Sequence, residues 1–435
     1  MARGKNAVSR AILPCLALGI LLTGASCSSP ANSVHLGTPV VAAPHLSVTS
    51  GSFATPISVV LSSTTEGAII NYTMDGSNPS ETAGTIYSSP LFITSSCTLK
   101  AIAWESGMAA SAISSASYTF TVTVYASGKY DDGSNWVPCY WTGPTRTDLP
   151  GTIPNSLTSH AGYSLFIDAG TVYTVGYYYS SGSQYIPCYW AGTTKNDLPA
   201  GSPGAAYGIC VSGGIVYTAG SSYNGSQFVP CYWQGTSRTD LPGASSDSTC
   251  YGIQVSNGTV YTCGYYNNGT QYVPCYWTGT TKTDLSVPTG STAGCATSLS
   301  VVDGVVYTCG YYASGANTVA CYWTLGTTTV RTALPGLNGY AYSITASGGT
   351  VYTAGFYGSP YIPCFWEGTT KTDLPGFGGY KAIAVSLQVK GGTVYTSGYY
   401  NNGTINIPCY WTGTTRTDLA GDGTHNAVAY GIFVQ

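Results

Sequence analysis

Charged side chains are scarce in this sequence. Only 7% of its 435 residues are Asp, Glu, Lys or Arg, and the formal net charge is -3, whereas roughly 25% charged residues is usual for globular proteins. Without a basic excess, a nucleic-acid-binding surface is excluded. Only three Met and four Glu residues are present, and few strong helix formers remain. Coiled coils, helical bundles and Rossmann-type α/β sheets are therefore not expected.

Motifs of catalysis and metal binding are also lacking. The sequence contains no Gly-x-Ser-x-Gly, phosphate-binding loop, His-Glu-x-x-His or Cys-x-x-Cys motif. Four histidines stand isolated, at no spacing typical of a metal site: His35, His45, His160 and His425. We therefore predict a protein that is not an enzyme and that holds no metal or cofactor.

Residues 1–27 are predicted to be an export signal. Three basic residues precede an apolar stretch of about a dozen residues, which is too short to span a bilayer. The stretch ends in Thr23-Gly-Ala-Ser-Cys27, which resembles a bacterial lipobox, although Gly24 replaces the usual Leu. The resemblance implies lipidation of Cys27 and attachment to the bacterial cell envelope, at the outer membrane or cell surface, through a lipid anchor only. Ordinary secretion is the alternative. Residues 28–43, rich in Ser and Pro, are predicted to be a flexible linker.

Residues 44–120 have the pattern of a small β-sandwich. Short alternating strands are separated by Ser-rich turns, and Asp75-Gly76 is typical of a hairpin turn. The run Tyr72-Thr-Met-Asp-Gly-Ser-Asn-Pro79, followed by Thr98-Leu-Lys-Ala-Ile-Ala103 and Tyr118, resembles the chitobiase/β-hexosaminidase C-terminal-type domain. The resemblance implies an immunoglobulin-like module, accessory to glycan-active proteins and without catalytic residues.

Residues 121–435 are dominated by an internal repeat. A Cys-aromatic-Trp element recurs seven times at intervals of 43 to 49 residues, starting at Cys139, Cys188, Cys231, Cys275, Cys321, Cys364 and Cys409. Each unit is predicted to have four strands, which is the period of a β-propeller blade. The first unit lacks its opening strand, and residues 429–434 supply one. We therefore predict an all-β chain in which a seven-bladed propeller, closed by the C-terminal strand, follows the sandwich. The resemblance to bacterial surface propellers of this kind implies no activity.

Alternation along the strands assigns side chains to the two faces of each blade. In the fourth blade a turn at Asn268-Gly269 predicts that Thr262 lies opposite Cys275 and Val260 opposite Trp277. A Trp/Cys face of one blade is then expected to pack on the Tyr face of its neighbour. The repeated cysteines are read as small buried hydrophobic residues, because equivalent positions around a ring are too far apart for disulfides. Cys250 and Cys295 are the one pair for which a disulfide stays open.

The outermost strands carry a basic residue two positions before an Asp. This i, i+2 spacing puts both side chains on one face and predicts an exposed rim of ion pairs rather than catalytic acids. The examples are Arg146/Asp148, Arg238/Asp240, Lys282/Asp284, Lys371/Asp373 and Arg416/Asp418. In the fifth blade, Ala333 replaces the Asp.

Loops of variable sequence gather at one end of the predicted ring, where function tends to lie. Seven tyrosines are predicted at the loops between second and third strands, as candidate ligand-binding residues: Tyr130, Tyr178, Tyr223, Tyr266, Tyr312, Tyr357 and Tyr400. Exposed Tyr suits polar, ring-shaped ligands such as glycans. That these tyrosines only cover the blade ends is the alternative.

The leading functional hypothesis is a monomeric, non-catalytic envelope lipoprotein that binds carbohydrate or a glycoconjugate at this loop end. Two alternatives stay open, a protein-interaction or adhesion scaffold and an extracellular glycan-processing enzyme. The enzyme would need a carboxylate cluster in the central channel. Asp168 and Asp303 are the only acids predicted at or beside the innermost strands.

Overall fold

A computed structural model describes residues 38–435, apart from 54–55, 94, 152, 155–161, 181–183, 202, 244–245 and 327. The predicted signal, Cys27, His35, His160 and most of the predicted linker lie outside these described residues. Every regular element of the described part is a β-strand, as the scarcity of helix formers predicts. It contains no helix that is long and apolar enough to cross a membrane.

The described residues form two compact units. The smaller unit contains the described residues up to Thr49 and those of Val59–Leu91 and Thr98–Ala116. The larger unit contains the described residues of Ser50–Ser58, Phe92–Cys97 and Ser117–Gln435. The predicted boundary between residues 120 and 121 stays a prediction.

The described residues of the N-terminal part contain nine short strands. They are β1 (His45–Leu46), β2 (Gly51–Phe53), β3 (Ile57–Val59), β4 (Leu61–Ser62), β5 (Ile69–Thr73), β6 (Thr85–Ile86), β7 (Leu91–Ile93), β8 (Cys97–Trp104) and β9 (Ser114–Phe120). In the smaller unit β5 pairs antiparallel with β6 and β8, and Leu61 and Leu99 are buried. Asp75 Oδ1 accepts the Ser77 amide at 2.9 Å, and Gly76 has a φ of 80°, which confirms the turn.

The described residues of 124–435 form seven antiparallel sheets, numbered one to seven. Sheets two to seven each have four strands in sequence order across the sheet, whereas sheet one has five strands, one of which comes from the C-terminus. Sheet one contains β10 (Val124–Asp131), β11 (Asn135–Thr142) and β12 (Thr145–Asp148), with β13 (Ile153–Pro154) beside β11. Sheet two contains β14 (Ser164–Asp168), β15 (Thr171–Tyr179), β16 (Tyr185–Ala191) and β17 (Thr194–Asp197). Sheet three contains β18 (Gly204–Ser212), β19 (Ile215–Tyr223), β20 (Phe228–Gln234) and β21 (Ser237–Asp240). Sheet four contains β22 (Ser246–Ser256), β23 (Thr259–Asn267), β24 (Tyr272–Thr278) and β25 (Thr281–Asp284).

The remaining sheets repeat this order. Sheet five contains β26 (Gly294–Val302), β27 (Val305–Ser314), β28 (Asn317–Leu325) and β29 (Thr329–Leu337). Sheet six contains β30 (Tyr340–Ser347), β31 (Thr350–Tyr357), β32 (Ile362–Glu367) and β33 (Thr370–Asp373). Sheet seven contains β34 (Ala382–Lys390), β35 (Thr393–Asn401), β36 (Asn406–Thr412) and β37 (Thr415–Asp418), and the last strand is β38 (Ala427–Val434).

The C-terminal strand completes sheet one. β38 pairs antiparallel with β10, with Val434 opposite Val124 and Ala427 opposite Tyr130. It takes the place of the innermost strand that the first unit lacks. The predicted closure of the array by its last residues is confirmed.

A repeated tryptophan joins each sheet to the one before it. The seven Trp side chains are fully buried, and each indole Nε1 donates to a backbone oxygen of the preceding sheet's last segment at 2.8 to 3.1 Å. Trp190 donates to Pro150, and Trp141 of sheet one donates to Ala420, which follows sheet seven. The bonds therefore run once around a closed circle. The all-β, propeller-like part of the prediction is confirmed.

The repeated cysteines share the Trp face. All seven are fully buried, and in one core cluster Cys321 and Trp323 of sheet five pack with Tyr261 and Tyr276 of sheet four. The predicted packing of unlike faces is confirmed. All cysteines of the described residues are free thiols. Cys250 Sγ lies 3.1 Å from the Gly220 oxygen and 3.0 Å from the Cys231 oxygen, so it is occupied as a donor rather than joined to Cys295.

The predicted register of sheet four is wrong by two residues. Thr262 lies opposite Trp277, not Cys275, and Cys275 lies opposite Gly264. The hairpin loop has four residues instead of two, because Asn268 Oδ1 accepts the amides of Thr270 and Gln271 and holds a wider turn. Since the shift is even, each side chain keeps its predicted face.

Candidate functional site

The innermost strand of each sheet carries an extra residue at one equivalent position. In six of these strands the register shifts by one residue, as between Ala206 and Gly208 in β18. In β14, Ser164 lies opposite Val175 while the amide of Tyr163 also bonds to the Val175 oxygen at 3.0 Å. Such β-bulges re-aim a side chain. The bulge residues are Tyr163, Tyr207, Tyr251, Thr297, Tyr342, Val385 and Tyr430.

All seven bulge residues line one cavity inside the circle of sheets, with a volume of about 520 Å³. Ser164, Ser298, Ser343 and Ser386, which follow bulge residues directly, add small hydroxyl groups, and Cys295 adds a thiol. The described lining residues carry no charged side chain. The cavity therefore offers aromatic surface and neutral hydrogen-bonding groups. Its size is that of a small-molecule binding site.

Four tyrosines form a continuous arc along one wall of the cavity. The ring centroids of Tyr430 and Tyr163 are 5.7 Å apart, those of Tyr163 and Tyr207 4.8 Å, and those of Tyr207 and Tyr251 5.1 Å. These are favourable distances for aromatic pairs. The bulge residues of sheets five and seven are Thr297 and Val385, so the aromatic arc does not extend evenly around the cavity.

The cavity tyrosines are held in the neutral form. Burial, followed by the neighbouring tyrosines, raises the pKa of Tyr163 and of Tyr430 well above the usual value. Burial also raises the pKa of Tyr251, where Cys295 and nearby tyrosines add to the effect. A neutral phenol both donates and accepts hydrogen bonds. These hydroxyls can bind a polar ligand at any physiological pH but are poor general bases.

The tyrosines predicted from the sequence lie elsewhere. Tyr130, Tyr178, Tyr266, Tyr357 and Tyr400 are within or at the end of second strands, on the Trp/Cys face, and none of them is exposed. Each hydroxyl donates to the Asp Oδ2 of its own outermost strand at 2.8 to 3.0 Å. The prediction that they are exposed loop residues is wrong, because the second strands extend past them and pair across the hairpin.

A cation lies over each of these five rings. The nearest charged atom of Arg146, Lys195, Lys282, Lys371 or Arg416 lies 3.1 to 3.9 Å from its ring centroid. The same cations pair with the Asp carboxylates at 2.8 to 3.3 Å, and these carboxylates are about half exposed. The predicted rim of ion pairs is confirmed, with Lys195/Asp197 as a pair that sequence reasoning missed.

Two candidate tyrosines depart from this arrangement. Tyr312 is buried and Arg331 lies 5.0 Å from its ring, while Ala333 leaves the position of the Asp without a carboxylate. Tyr223 packs against Phe228 at 5.5 Å, and Arg238 pairs with Asp240 while it also donates to Ser222. Ligand binding by the seven candidate tyrosines stays a prediction.

Acidic side chains are absent from the described lining of the cavity. Asp168 ends β14 and Asp303 lies in an exposed turn with a φ of 51°. His425 accompanies Asp422, 2.6 Å away, at the surface. The described residues contain no group of three or more His, Cys, Asp or Glu that could hold a metal ion.

A sequence signal for the cavity was present. The segments Ala206-Tyr-Gly-Ile209, Cys250-Tyr-Gly-Ile253, Ala341-Tyr-Ser-Ile344 and Ala429-Tyr-Gly-Ile432 repeat one pattern. A small residue follows the Tyr because the next sheet is close: a Cβ on Gly208 would lie 2.3 Å from the Tyr251 oxygen. This pattern identifies the bulge, although strict alternation does not.

Three solved structures are similar to this chain at low identity. A quinonprotein alcohol dehydrogenase-like protein from Bacteroides thetaiotaomicron is 12% identical, with 90% of this chain and 98% of that chain covered and a TM-score of 0.42. The WD40 β-propeller domain of Doa1 is 12% identical, with coverage of 70% and 95% and a TM-score of 0.38. The β-propeller domain of the Trilobed protease from Pyrococcus furiosus is 8% identical, with coverage of 76% and 95% and a TM-score of 0.37. At these TM-scores the similarities carry no functional information.

Sequence comparison gives one match. No curated protein matches the chain. The family model of the chitobiase/β-hexosaminidase C-terminal domain matches residues 48–115, within the 44–120 segment for which the resemblance was predicted. That segment is therefore similar to the chitobiase/β-hexosaminidase C-terminal domain.

Proposed function

We propose that this protein is a non-catalytic, carbohydrate-binding lipoprotein of the bacterial cell envelope, and that the tyrosine-lined cavity is its binding site. In this proposal the seven sheets are the blades of a β-propeller, the segment 44–120 is an immunoglobulin-like accessory module, and a lipid on Cys27 anchors the chain. The ligand is a neutral glycan or the neutral part of a glycoconjugate.

The observation that carries the proposal is the chemistry of the cavity lining. Sugar rings present apolar C–H faces and a rim of hydroxyl groups, so they bind where aromatic faces and neutral hydrogen-bonding groups alternate. Tyr207 and Tyr251 provide both features in one side chain, and the nearby serines add short donors and acceptors. An anionic sugar would have to bury its charge among described residues that offer no cation. Burial of an unpaired polar group costs ~2–7 kcal/mol, and burial of an unpaired charge costs more.

The N-terminal segment supports the same proposal. Its family model is named for chitobiase and β-hexosaminidase, and we propose that the segment accompanies glycan binding in this chain. A catalytic role is not proposed, because glycoside hydrolysis normally uses two carboxylates and the described cavity lining holds none.

A glycan array followed by calorimetry tests the proposal. Labelled protein in multivalent form is screened on an array with neutral and acidic sugars, and the neutral signals are measured in solution. Tyr251→Phe removes one hydroxyl from the cavity and is expected to weaken binding about tenfold, the effect of one hydrogen bond of about 1.4 kcal/mol.

Tyr178→Phe is the matched control, since it removes a hydroxyl that bonds to Asp197 outside the cavity lining. Its affinity is expected to equal that of the wild type. An empty array, a preference for acidic sugars, or equal losses in the two variants would contradict the proposal.

A further inference from the structure

Three sheets carry a continuous row of aromatic rings that starts at the cavity. In each row a bulge tyrosine contacts a ring on the second strand, which contacts a ring at the start of the third strand or, in sheet six, directly before it. The centroid distances are 6.0 and 5.3 Å for Tyr163–Tyr177–Tyr185 in sheet two, 6.1 and 5.0 Å for Tyr251–Tyr265–Tyr272 in sheet four, and 5.8 and 4.2 Å for Tyr342–Phe356–Tyr361 in sheet six.

Two of these rows end on exposed rings. Tyr272 is 46% exposed and Tyr361 is 42% exposed, whereas Tyr185 is half-buried. Each exposed ring rests on a ring of the second strand, so its position is fixed by packing. Such a ring is a preorganised platform for a second flat, amphipathic group.

Exposed rings are also present on the segment that follows sheet six, where the ring centroids of Phe377 and Tyr400 of sheet seven are 6.0 Å apart. The segment that leads to sheet seven carries Phe377 and Tyr380, which are 47% and 51% exposed. This segment is held beside Tyr361, because the amide of Ala382 donates to the Tyr361 oxygen at 2.9 Å. The segment after sheet four, residues 286–293, contains no aromatic residue. Exposed aromatic surface is therefore more extensive at sheet six than at sheet four.

We propose that Tyr361, with Phe377 and Tyr380, is an outer subsite for a neutral oligosaccharide whose terminal unit occupies the tyrosine-lined cavity. This inference rests on the proposed function and names its substrate class: a chain of several sugar units rather than a single sugar. The terminal unit lies in the cavity, and the following units leave it along sheet six and stack on the exposed rings. The row Tyr342–Phe356–Tyr361 runs from the cavity wall to the exposed ring, with Phe356 buried between them. In the proposal the sugar units contact the two ends of this row.

Chain-length titration tests the subsite. Binding of glucose, N-acetylglucosamine and their β-1,4-linked oligomers of two to six units is measured by calorimetry with the full chain. Affinity is expected to rise by about tenfold or more between one unit and the longer oligomers. That ratio corresponds to about 1.4 kcal/mol of added stacking.

Tyr361→Ala is expected to remove most of this gain and to leave the affinity for the single sugar unchanged. Tyr272→Ala, which truncates the equivalent ring of sheet four, is the matched control and is expected to keep the gain. Phe377→Ala is expected to reduce the gain in the same direction. Because Phe377 is half exposed, this variant keeps the proposal testable even if Tyr361→Ala folds poorly.

The outcomes separate the two proposals. Affinity that does not depend on chain length, or a gain that is lost in Tyr272→Ala and kept in Tyr361→Ala, overturns the outer subsite while the cavity proposal stands. Failure of every oligomer and both monosaccharides to bind overturns both. A gain that disappears only in the sheet-six variants supports the subsite.

Discussion

Removal of residues 427–435 is expected to open the circle of sheets. Val428, Ile432 and Val434 are 3 to 6% exposed in the intact protein. Burial of each such side chain contributes about 2 kcal/mol, so the deletion loses about 6 kcal/mol before any backbone hydrogen bonds to β10 are counted. Since domains are stable by only about 5–15 kcal/mol, the loss should lower the Tm by on the order of 10 °C.

Thermal unfolding followed by circular dichroism measures this effect, and a synthetic peptide of residues 426–435 provides the control. The peptide should restore the Tm in a concentration-dependent way, because it binds the folded form. A peptide with Gly431→Ala should not, since the added Cβ would lie 2.6 Å from Ser127 Oγ and 2.9 Å from the Leu165 amide. An unchanged Tm after deletion, or equal rescue by a scrambled peptide, would refute the reasoning.

Two further predictions concern buried polar groups. Lys129 is 5% exposed, and burial lowers its pKa from 10.5 to about 7. Between pH 7 and pH 10.5 the Lys129 amine is protonated in the unfolded chain but not in the folded protein. The free energy of unfolding should therefore rise with pH in this range. The free energy of unfolding of the wild type, measured by urea titration from pH 7 to 9, should rise by on the order of 1 kcal/mol per pH unit relative to that of Lys129→Met. The same pH dependence in the two proteins would contradict this. Trp366→Phe removes the bond from Nε1 to the Pro335 oxygen, 3.1 Å long, and leaves that carbonyl unpaired. It should cost about 2 kcal/mol in urea unfolding, with the half-buried Trp136→Phe as control, and a loss below about 0.5 kcal/mol would be inconsistent with the inter-sheet bond.

Strand order and closure could be predicted because they follow from repetition. The Cys-aromatic-Trp element marks the third strand of every unit, and the extra segment at the C-terminus matches the strand that the first unit lacks. Face assignments were also predictable, since a strand has a side-chain period of two. The register was not, because the four-residue loop held by Asn268 differs from the two-residue turn suggested by Asn268-Gly269.

The cavity could not be located by alternation alone. Sequence reasoning selected Tyr178 at the end of a strand, whereas its neighbour Tyr177 lies on the opposite face and contacts the cavity residue Tyr163. A single-residue step changes the face of the sheet. Tyr163 itself is aimed inward by a bulge, which depends on pairing with the second strand and has no period of its own. Only comparison of all seven units would have shown that the position is special.

The indole bonds between neighbouring sheets have a consequence for how this architecture changes over time. Each junction uses the same donor, an indole such as that of Trp233, and the same kind of acceptor, a main-chain oxygen such as that of Pro199. A duplicated or deleted unit would thus find a chemically matching neighbour on either side. The number of units is then constrained by the curvature that lets the last strand reach the first, while the groups that face the interior can diverge one unit at a time.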